Sequence, residues 1–495
     1  MTQAPMTQAP NVLFFITDQL RADHLGCYGY HRRTSPNIDR IAAQGVRFER
    51  CYASDVPCLP SRTALVTGRF GTHNGVVGHG GTAADPFVEG RGRGFSQSAA
   101  RNAFPALLRK LGLRTATISS FAERHSAYQW HAGFQETATV GKRGLENADE
   151  VFTLASEWLA RHGKSERWFL HVQLWDPHTP YRAPAEIGEP FADAPLPAWL
   201  TDEVRARHFA GCGPNSAQEA VGFTPDYPWG DYPRQPRQCD SMQAVRRMFD
   251  GYDTGVLHAD LYVGRLLDEL ASLGVLDETA VIISADHGET LGELNVYGDH
   301  HTADEHTARV PMIVRWPGIA PRAELALCYQ IDVFATLVSL LGGEVPASWD
   351  GRSLGDGMRA GKVAGREHLV LTTGAWTCQR AVRFDDYLCI RTEHDGYHDF
   401  DGVMLFDLAR DPHEQWDLAA AEPARVRHAL SVLDAWRAEV LATSTTGVDP
   451  LETVLREGGP FHVRGQLRAY LARLRATGRE ACAARLERRH ASELT

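Results

Sequence analysis

The 495-residue chain contains no hydrophobic run long enough to cross a bilayer, and its longest early apolar stretch, residues 12–16, has the length of a strand. A membrane-spanning protein is therefore not expected. The start, Met-Thr-Gln-Ala-Pro given twice, lacks the basic and apolar zones of a secretory leader, so a cytoplasmic location is expected. Positive charge is in deficit: 51 Lys and Arg stand against 62 Asp and Glu, a net −11 at pH 7. That balance argues against nucleic acid as a partner, because phosphate backbones are met by basic faces. It also means that an anionic ligand must be captured by local positive charge, most simply a metal. Nine cysteines, an odd number spread over a long chain, do not make a disulfide framework and read as reduced thiols. There is no internal repeat beyond the duplicated pentapeptide. What is present is ordinary globular material, 43% hydrophobic and 23% charged, enough for a large core or two to three domains. Disorder of the body and a bare binding module are both excluded.

The run Val12-Leu13-Phe14-Phe15-Ile16 has the continuous apolar pattern of a strand buried on both faces of an α/β sheet. It ends in Thr17-Asp18-Gln19, which places a carboxylate past the strand's carboxyl end, where open α/β sheets bind ligands. Residues 36–44, 104–111, 151–161 and 333–341 read as helices, and 115–118, 168–174, 279–284 and 312–314 as strands. Leucines at 257, 261, 266, 267 and 270 predict a long amphipathic helix over 244–273, stopped by Gly274. Residues 184–240, rich in Pro, Gly and Asp, read as an excursion over the sheet and a candidate substrate lid. Its Trp199, Tyr227, Trp229 and Tyr232 either stack on a ligand ring or pack the lid. Strand–helix alternation to about residue 360 indicates a layered α/β domain. Short pieces at 369–372, 380–384, 388–392 and 403–408 then predict a small antiparallel sheet, followed by a helix at 424–441. The expected division is a catalytic domain over 10–362, a small α+β subdomain over 363–446 and a helical, Arg-rich tail over 447–495. In that tail Leu467, Tyr470, Leu471 and Leu474 at helical spacing predict packing on the body or on a second subunit, as in a homo-oligomer. Glu480, Glu487 and Glu493 dilute the charge that a nucleic-acid arm would need.

Three groups stand at strand ends or in tight loops: Asp18-Gln19, Asp286-His287, and Pro57-Cys58-Leu59-Pro60-Ser61-Arg62. Two Asp residues on separate parallel strands can converge although far apart in sequence. Paired carboxylates, an amide oxygen and an imidazole suit one divalent cation; the oxygens favour Ca²⁺ or Mg²⁺, and the histidine tilts the set toward Mn²⁺. Taken singly, each Asp also reads as a helix cap, Cys58 as an inert thiol, Arg62 as a salt-bridge residue and His178 as a loop histidine between prolines. His73, in Gly71-Thr72-His73-Asn74-Gly75, reads equally as a site residue and as core. Cys27, Cys51 and Cys239 read as structural thiols.

Cys58-Leu59-Pro60-Ser61-Arg62, a Cys-x-Pro-x-Arg sequence followed by Thr67-Gly68-Arg69, resembles the active-site motif of the sulfatase family. The Asp18-Gln19 pair upstream, Pro177-His178-Thr179-Pro180, Ser284-Ala285-Asp286-His287-Gly288-Glu289 and Arg309-Val310-Pro311 follow in that family's order, so the resemblance covers roughly residues 10–420. It implies an alkaline phosphatase/sulfatase-like fold, a large mixed sheet sandwiched by helices with a smaller C-terminal antiparallel sheet. It also implies an arylsulfatase-like sulfuric ester hydrolase acting on a small anionic ester. In that family the cysteine is oxidised to formylglycine by a formylglycine-generating enzyme, which would be a partner during maturation. The hydrated aldehyde has two hydroxyls on one carbon. One attacks sulfur and expels the alcohol; loss of the other's proton then ejects sulfate and restores the aldehyde. By resemblance, Cys58, Arg62, His178 and His300 are catalytic, and Asp18, Gln19, Cys58, Asp286 and His287 hold the metal. The sequence departs from the commonest pattern, which has Asp where Gln19 stands and Asn where His287 stands. It carries His300 where the family has a lysine, and Arg124-His125 in place of a Lys-x-His sequence. The Asp-Gln and Asp-His pairs resemble the phosphonate monoester hydrolase branch and also some bacterial sulfatases, so a phosphonate monoester or phosphodiester hydrolase with the same nucleophile and metal is the alternative expectation.

Overall fold

The apolar run at residues 12–16 forms the strand Asn11–Thr17, buried from Val12 onward, in the interior of an eight-stranded sheet. The computed structural model describes residues 9–89, 97–165, 167–224 and 227–494, and all but the last two positions of the duplicated pentapeptide lie outside them. In space the strands run Arg322–Glu324, Val46–Phe48, Met312–Arg315, Thr279–Ala285, Asn11–Thr17, Trp168–Leu174, Arg114–Ile118 and Glu136–Ala138. Asn11–Thr17 is parallel to both neighbours, with Thr17 opposite Leu174 on one side and Ala285 on the other. That register brings Asp18, Trp175 and Asp286 out of the sheet at one level. Met312–Arg315 is antiparallel to Thr279–Ala285, which makes the sheet mixed.

Two groups of helices cover the sheet. Pro36–Ala42 and Ala148–His162 pack on the 32-residue helix Met242–Leu273. Cys58–Thr67, Phe104–Lys110 and Gln330–Leu340 form the second group, where Phe334 meets Phe14 and Phe104 edge-on at 5.0 and 4.5 Å. The long helix starts at Ser241, whose side chain accepts from the Ala244 N–H, and stops at Gly274 with φ +78°, as its leucine periodicity and terminal glycine predict.

The second sheet comprises Val403–Asp407, Tyr387–His394, Cys378–Phe384 and His368–Thr373, antiparallel in succession. Its fifth strand is the two-residue Asp55–Val56, parallel to Thr372–Thr373 and two residues before Cys58. The C-terminal sheet is thus tied directly to the segment carrying the cysteine motif. In the tail, Leu467–Ala476 and Glu480–Arg489 pack together, and Leu467, Tyr470, Leu471 and Leu474 bury against Cys212, Tyr397 and Val463. The apolar stripe therefore lies on the body of its own chain. The excursion contains a helix, Asp202–Phe209, whose polar sequence hides any apolar stripe. All nine cysteines are free thiols, and among the described residues no helix is long and apolar enough to cross a membrane.

Candidate active site

Cys58 opens the helix Cys58–Thr67, every residue of which is buried, and Gly68 ends it with φ +68°. A helix amino terminus favours negative charge at its first residue. Ser61 Oγ donates to the Asp286 carbonyl at 2.6 Å, which locks the helix to the end of its neighbouring strand. Arg62, one turn further on, is fully buried and bridges the two strand-end carboxylates: Nε lies 2.8 Å from Asp286 Oδ2 and Nη2 2.8 Å from Asp18 Oδ2. Phe121 flanks its guanidinium at 4.6 Å.

Around the sulfur the groups named from sequence come together. Cys58 Sγ is 3.0 Å from His287 Nε2 and 3.9 Å from Asp18 Oδ1. His287 Nε2 lies 3.8 Å from both Asp18 Oδ1 and Asp286 Oδ2. Its Nδ1 sits 2.7 Å from the Gly288 carbonyl, which assigns the proton to Nδ1 and leaves Nε2 as a lone pair facing the cluster. Gln19 has φ +65°, an uncommon conformation for a non-glycine residue, and its N–H donates to Asp286 Oδ1 at 3.2 Å. Its Nε2 donates to Glu289 Oε2 at 2.5 Å, while Oε1 is buried without a partner.

Two features of the long helix hold the site's loops from outside the motifs. Tyr252 OH, on the long helix, donates to the Gln19 carbonyl and accepts from the Arg21 N–H, both at 2.8 Å. A Cβ on Gly255 would meet Pro177 Cα at 2.9 Å, so glycine there lets the helix press against the loop that carries His178. His178 Nε2 reaches 3.9 Å from Asp18 Oδ1, and its Nδ1 donates to the Thr179 carbonyl. The His300 ring lies 4.4 Å from that of His287 and 6.0 Å from that of His178.

The electrostatics follow from burial. Burial and the neighbouring Asp286 raise Asp18 to about 6 against the pull of Arg62. Burial also acts to raise Asp286, but Arg62 and the Gln19 N–H outweigh it and hold this carboxyl below its usual range. The Cys58 thiol is pushed well up by burial and by both Asp residues. A neutral buried thiol is a poor nucleophile. Burial lowers His300, and burial with Arg124 and Arg182 lowers His178.

Two buried carboxylates against one guanidinium leave the cluster net negative. Asp18, Cys58, Asp286 and His287 each offer a ligand atom within 4.8 Å of the others, and Gln19 Oε1 has no competing partner. The donor set fits a divalent cation.

Above Cys58 opens a cavity of about 560 Å³ whose lining includes His178, His300, Arg124, Tyr227 and Trp229. Of the other aromatics, Trp199 stacks on His413 at 4.7 Å and Tyr232 lines a separate cavity. His73 bonds to Asp350 and to the Val440 carbonyl, so it packs the body rather than facing Cys58. Sequence reasoning missed Tyr252, His79 and His462; they carry no strand-end or motif signal, and only the fold brings them near.

A family model described as Sulfatase matches residues 10–343. An N-acetylglucosamine-6-O-sulfatase from Bacteroides thetaiotaomicron is 26% identical over 482 residues, covering 83% of this chain and 83% of that protein. Among solved structures, one in complex with its substrate D-glucosamine-2-N,6-O-disulfate aligns with TM-score 0.70 at 21% identity, covering 90% of this chain and 100% of that one. The phosphonate monoester hydrolase of Agrobacterium radiobacter aligns with TM-score 0.66 at 20% identity over 87% of this chain and 96% of its own. These structural likenesses establish the alkaline phosphatase/sulfatase-like fold. With the family model spanning most of its length, the chain belongs to the sulfatase family and is a sulfuric ester hydrolase.

Proposed function

We propose that the chain hydrolyses sulfate monoesters with residue 58, oxidised from cysteine to formylglycine by a formylglycine-generating enzyme, beside one divalent metal ion. The observation that carries this reading is the buried convergence of Cys58 with Asp18, Asp286 and His287 at the floor of a cavity. Those residues would hold the ion, with Gln19 Oε1 free to join them; Ca²⁺, Mn²⁺ and Mg²⁺ all suit such donors. When bound, the ion neutralises the carboxylate pair and favours proton loss from a hydroxyl at residue 58. Residue 58 then attacks sulfur in line with the departing alcohol. Arg62 stays charged at any working pH; its two ion pairs hold the guanidinium against the carboxylates and leave Nη1 unpartnered, a donor available to stabilise oxyanion character. His178 and His300 both line the cavity and are the two histidines in reach of the alcohol's proton; Asp299 Oδ1, 3.2 Å from His300 Nδ1, opposes the burial that lowers His300. His178 is held by the Thr179 carbonyl and has Arg124 and Arg182 against its charge.

The test is a comparison of kcat/KM for 4-nitrophenyl sulfate, a phenylphosphonate monoester and bis(4-nitrophenyl) phosphate. Preference for the sulfate is expected. The Gln19 and His287 donors, one anion fewer than a third carboxylate would give, do not by themselves separate sulfur from phosphorus, since all three substrates are monoanions; a higher kcat/KM for the phosphonate monoester or the phosphodiester would establish a phosphonate monoester or phosphodiester hydrolase instead.

A further inference from the structure

One wall of the catalytic cavity comes from the C-terminal tail. His462 lines it beside His79, which belongs to the loop following the nucleophile helix. His462 Nε2 is 3.0 Å from His79 Nδ1, and the His462 ring stacks on Trp376 at 4.5 Å. Trp376 in turn stacks on His301 at 4.0 Å, so the tail histidine has a rigid backing. The same loop is tied to the tail twice more. The Thr82 N–H donates to Glu457 Oε1 at 3.1 Å. The Phe461 ring comes within 2.3 Å of where a Cβ on Gly80 would stand, so only glycine allows this approach.

The pairing engages one edge of His79 and leaves Nε2 without a hydrogen-bond partner. His125, with its ring 5.1 Å from that of His79, also keeps Nε2 free, and buried Gln235 has no donor for Oε1. All three residues line the cavity with Cys58. Buried polar atoms are normally satisfied, so three of them facing one cavity are open to a ligand that supplies the partners. Burial keeps these imidazoles neutral: with Arg124 it takes His125 to about 3, it takes His462 to about 4, and it lowers His79 strongly. Neutral ring nitrogens and an amide oxygen hydrogen-bond to hydroxyls; they do not balance a second charge, and a sterol surface would leave them unpaired.

We propose that His79, His125 and Gln235 form a subsite for a hydroxyl-bearing alcohol, such as a sugar ring, and that His462 is a positioning residue that sets His79 for it. The inference rests on the sulfatase reading and adds the class of alcohol released. His462→Phe keeps the stack on Trp376 and removes the hydrogen bond; His462→Gln restores a nitrogen at similar reach. For H462F, kcat/KM on the 6-sulfates of N-acetylglucosamine and galactose is expected to fall about tenfold, chiefly through KM, with 4-nitrophenyl sulfate changed less than about twofold. H462Q is expected to recover most of the loss. Equal losses on both substrate classes, or no loss on either, overturn the role of His462. A wild-type enzyme that hydrolyses 4-nitrophenyl sulfate and neither sugar sulfate overturns the alcohol class while leaving the sulfatase reading intact. Inactivity on all three contradicts that reading itself.

Discussion

Arg62 controls the charge balance of the buried cluster. One planar guanidinium satisfies Asp18 and Asp286 at once, a geometry that a lysine ammonium cannot reproduce. In Arg62→Lys one carboxylate loses its partner in a fully buried site, and breaking such a pair costs about 3–5 kcal/mol. We expect a markedly lower melting temperature and at least about a hundredfold loss in kcat. Wild-type melting and turnover in this variant would show that the bridge is dispensable. At this scale the sequence was informative where residues sit in local motifs. Asp18 and Asp286 end apolar runs, and Cys58 and Arg62 lie one helical turn apart, so each was visible within a few neighbours. His79 and His462 were not, because their partnership spans 383 positions and neither sits in a patterned segment.

Tyr252 shows how an element acts on the site from a distance. The leucine spacing of its helix was legible, but nothing in that spacing distinguishes a tyrosine that packs from one that pins the Asp18-Gln19 loop. Tyr252→Phe leaves the Gln19 carbonyl and the Arg21 N–H unpaired. A loss of about 1–3 kcal/mol in stability is expected, with about a tenfold to hundredfold weaker metal affinity, measured by chemical denaturation and metal titration. Unchanged affinity would remove the helix from the account of the site. The tail has a pH-dependent clasp of its own. His490 lies 2.8 Å from Asp395 Oδ1 and 2.6 Å from Glu493 Oε1, with the rings of His394 and Tyr397 beside it and Arg489 paired to Asp395. Burial alone would lower His490, but the two carboxylates outweigh it and raise the group to about 9, while Asp395 falls to about 2. The histidine's contribution is complete below about pH 6.5 and is lost as pH rises through about 9; the aspartate's is present above about pH 4 and lost as pH falls toward 2. Hydrogen exchange over Glu480–Arg489 should therefore accelerate between pH 7 and 9.5 beyond the intrinsic base-catalysed rise. A constant protection factor across that range would contradict the clasp.

Across the whole molecule, topology assembles what the sequence scatters. Parallel registry of Asn11–Thr17 with both neighbours delivers two carboxylates to one level, and a two-residue strand of the second sheet leads into the nucleophile helix. The long apolar strands were legible because both faces are covered. The edge strands Arg322–Glu324 and Glu136–Ala138, and Val46–Phe48 next to the first of them, were not, being short and partly polar. The strand Asp55–Val56 was hidden for a different reason: its partner lies more than three hundred residues away. The central claim is that residue 58 of the working enzyme is an aldehyde rather than a thiol. Mass analysis of the tryptic peptide from Cys51 to Arg62, taken from active enzyme after thiol alkylation, tests it most directly. A peptide alkylated only at Cys51 and about 18 daltons lighter at position 58 than the cysteine form is the expected result. A fully active preparation whose peptide is alkylated at both cysteines would contradict it.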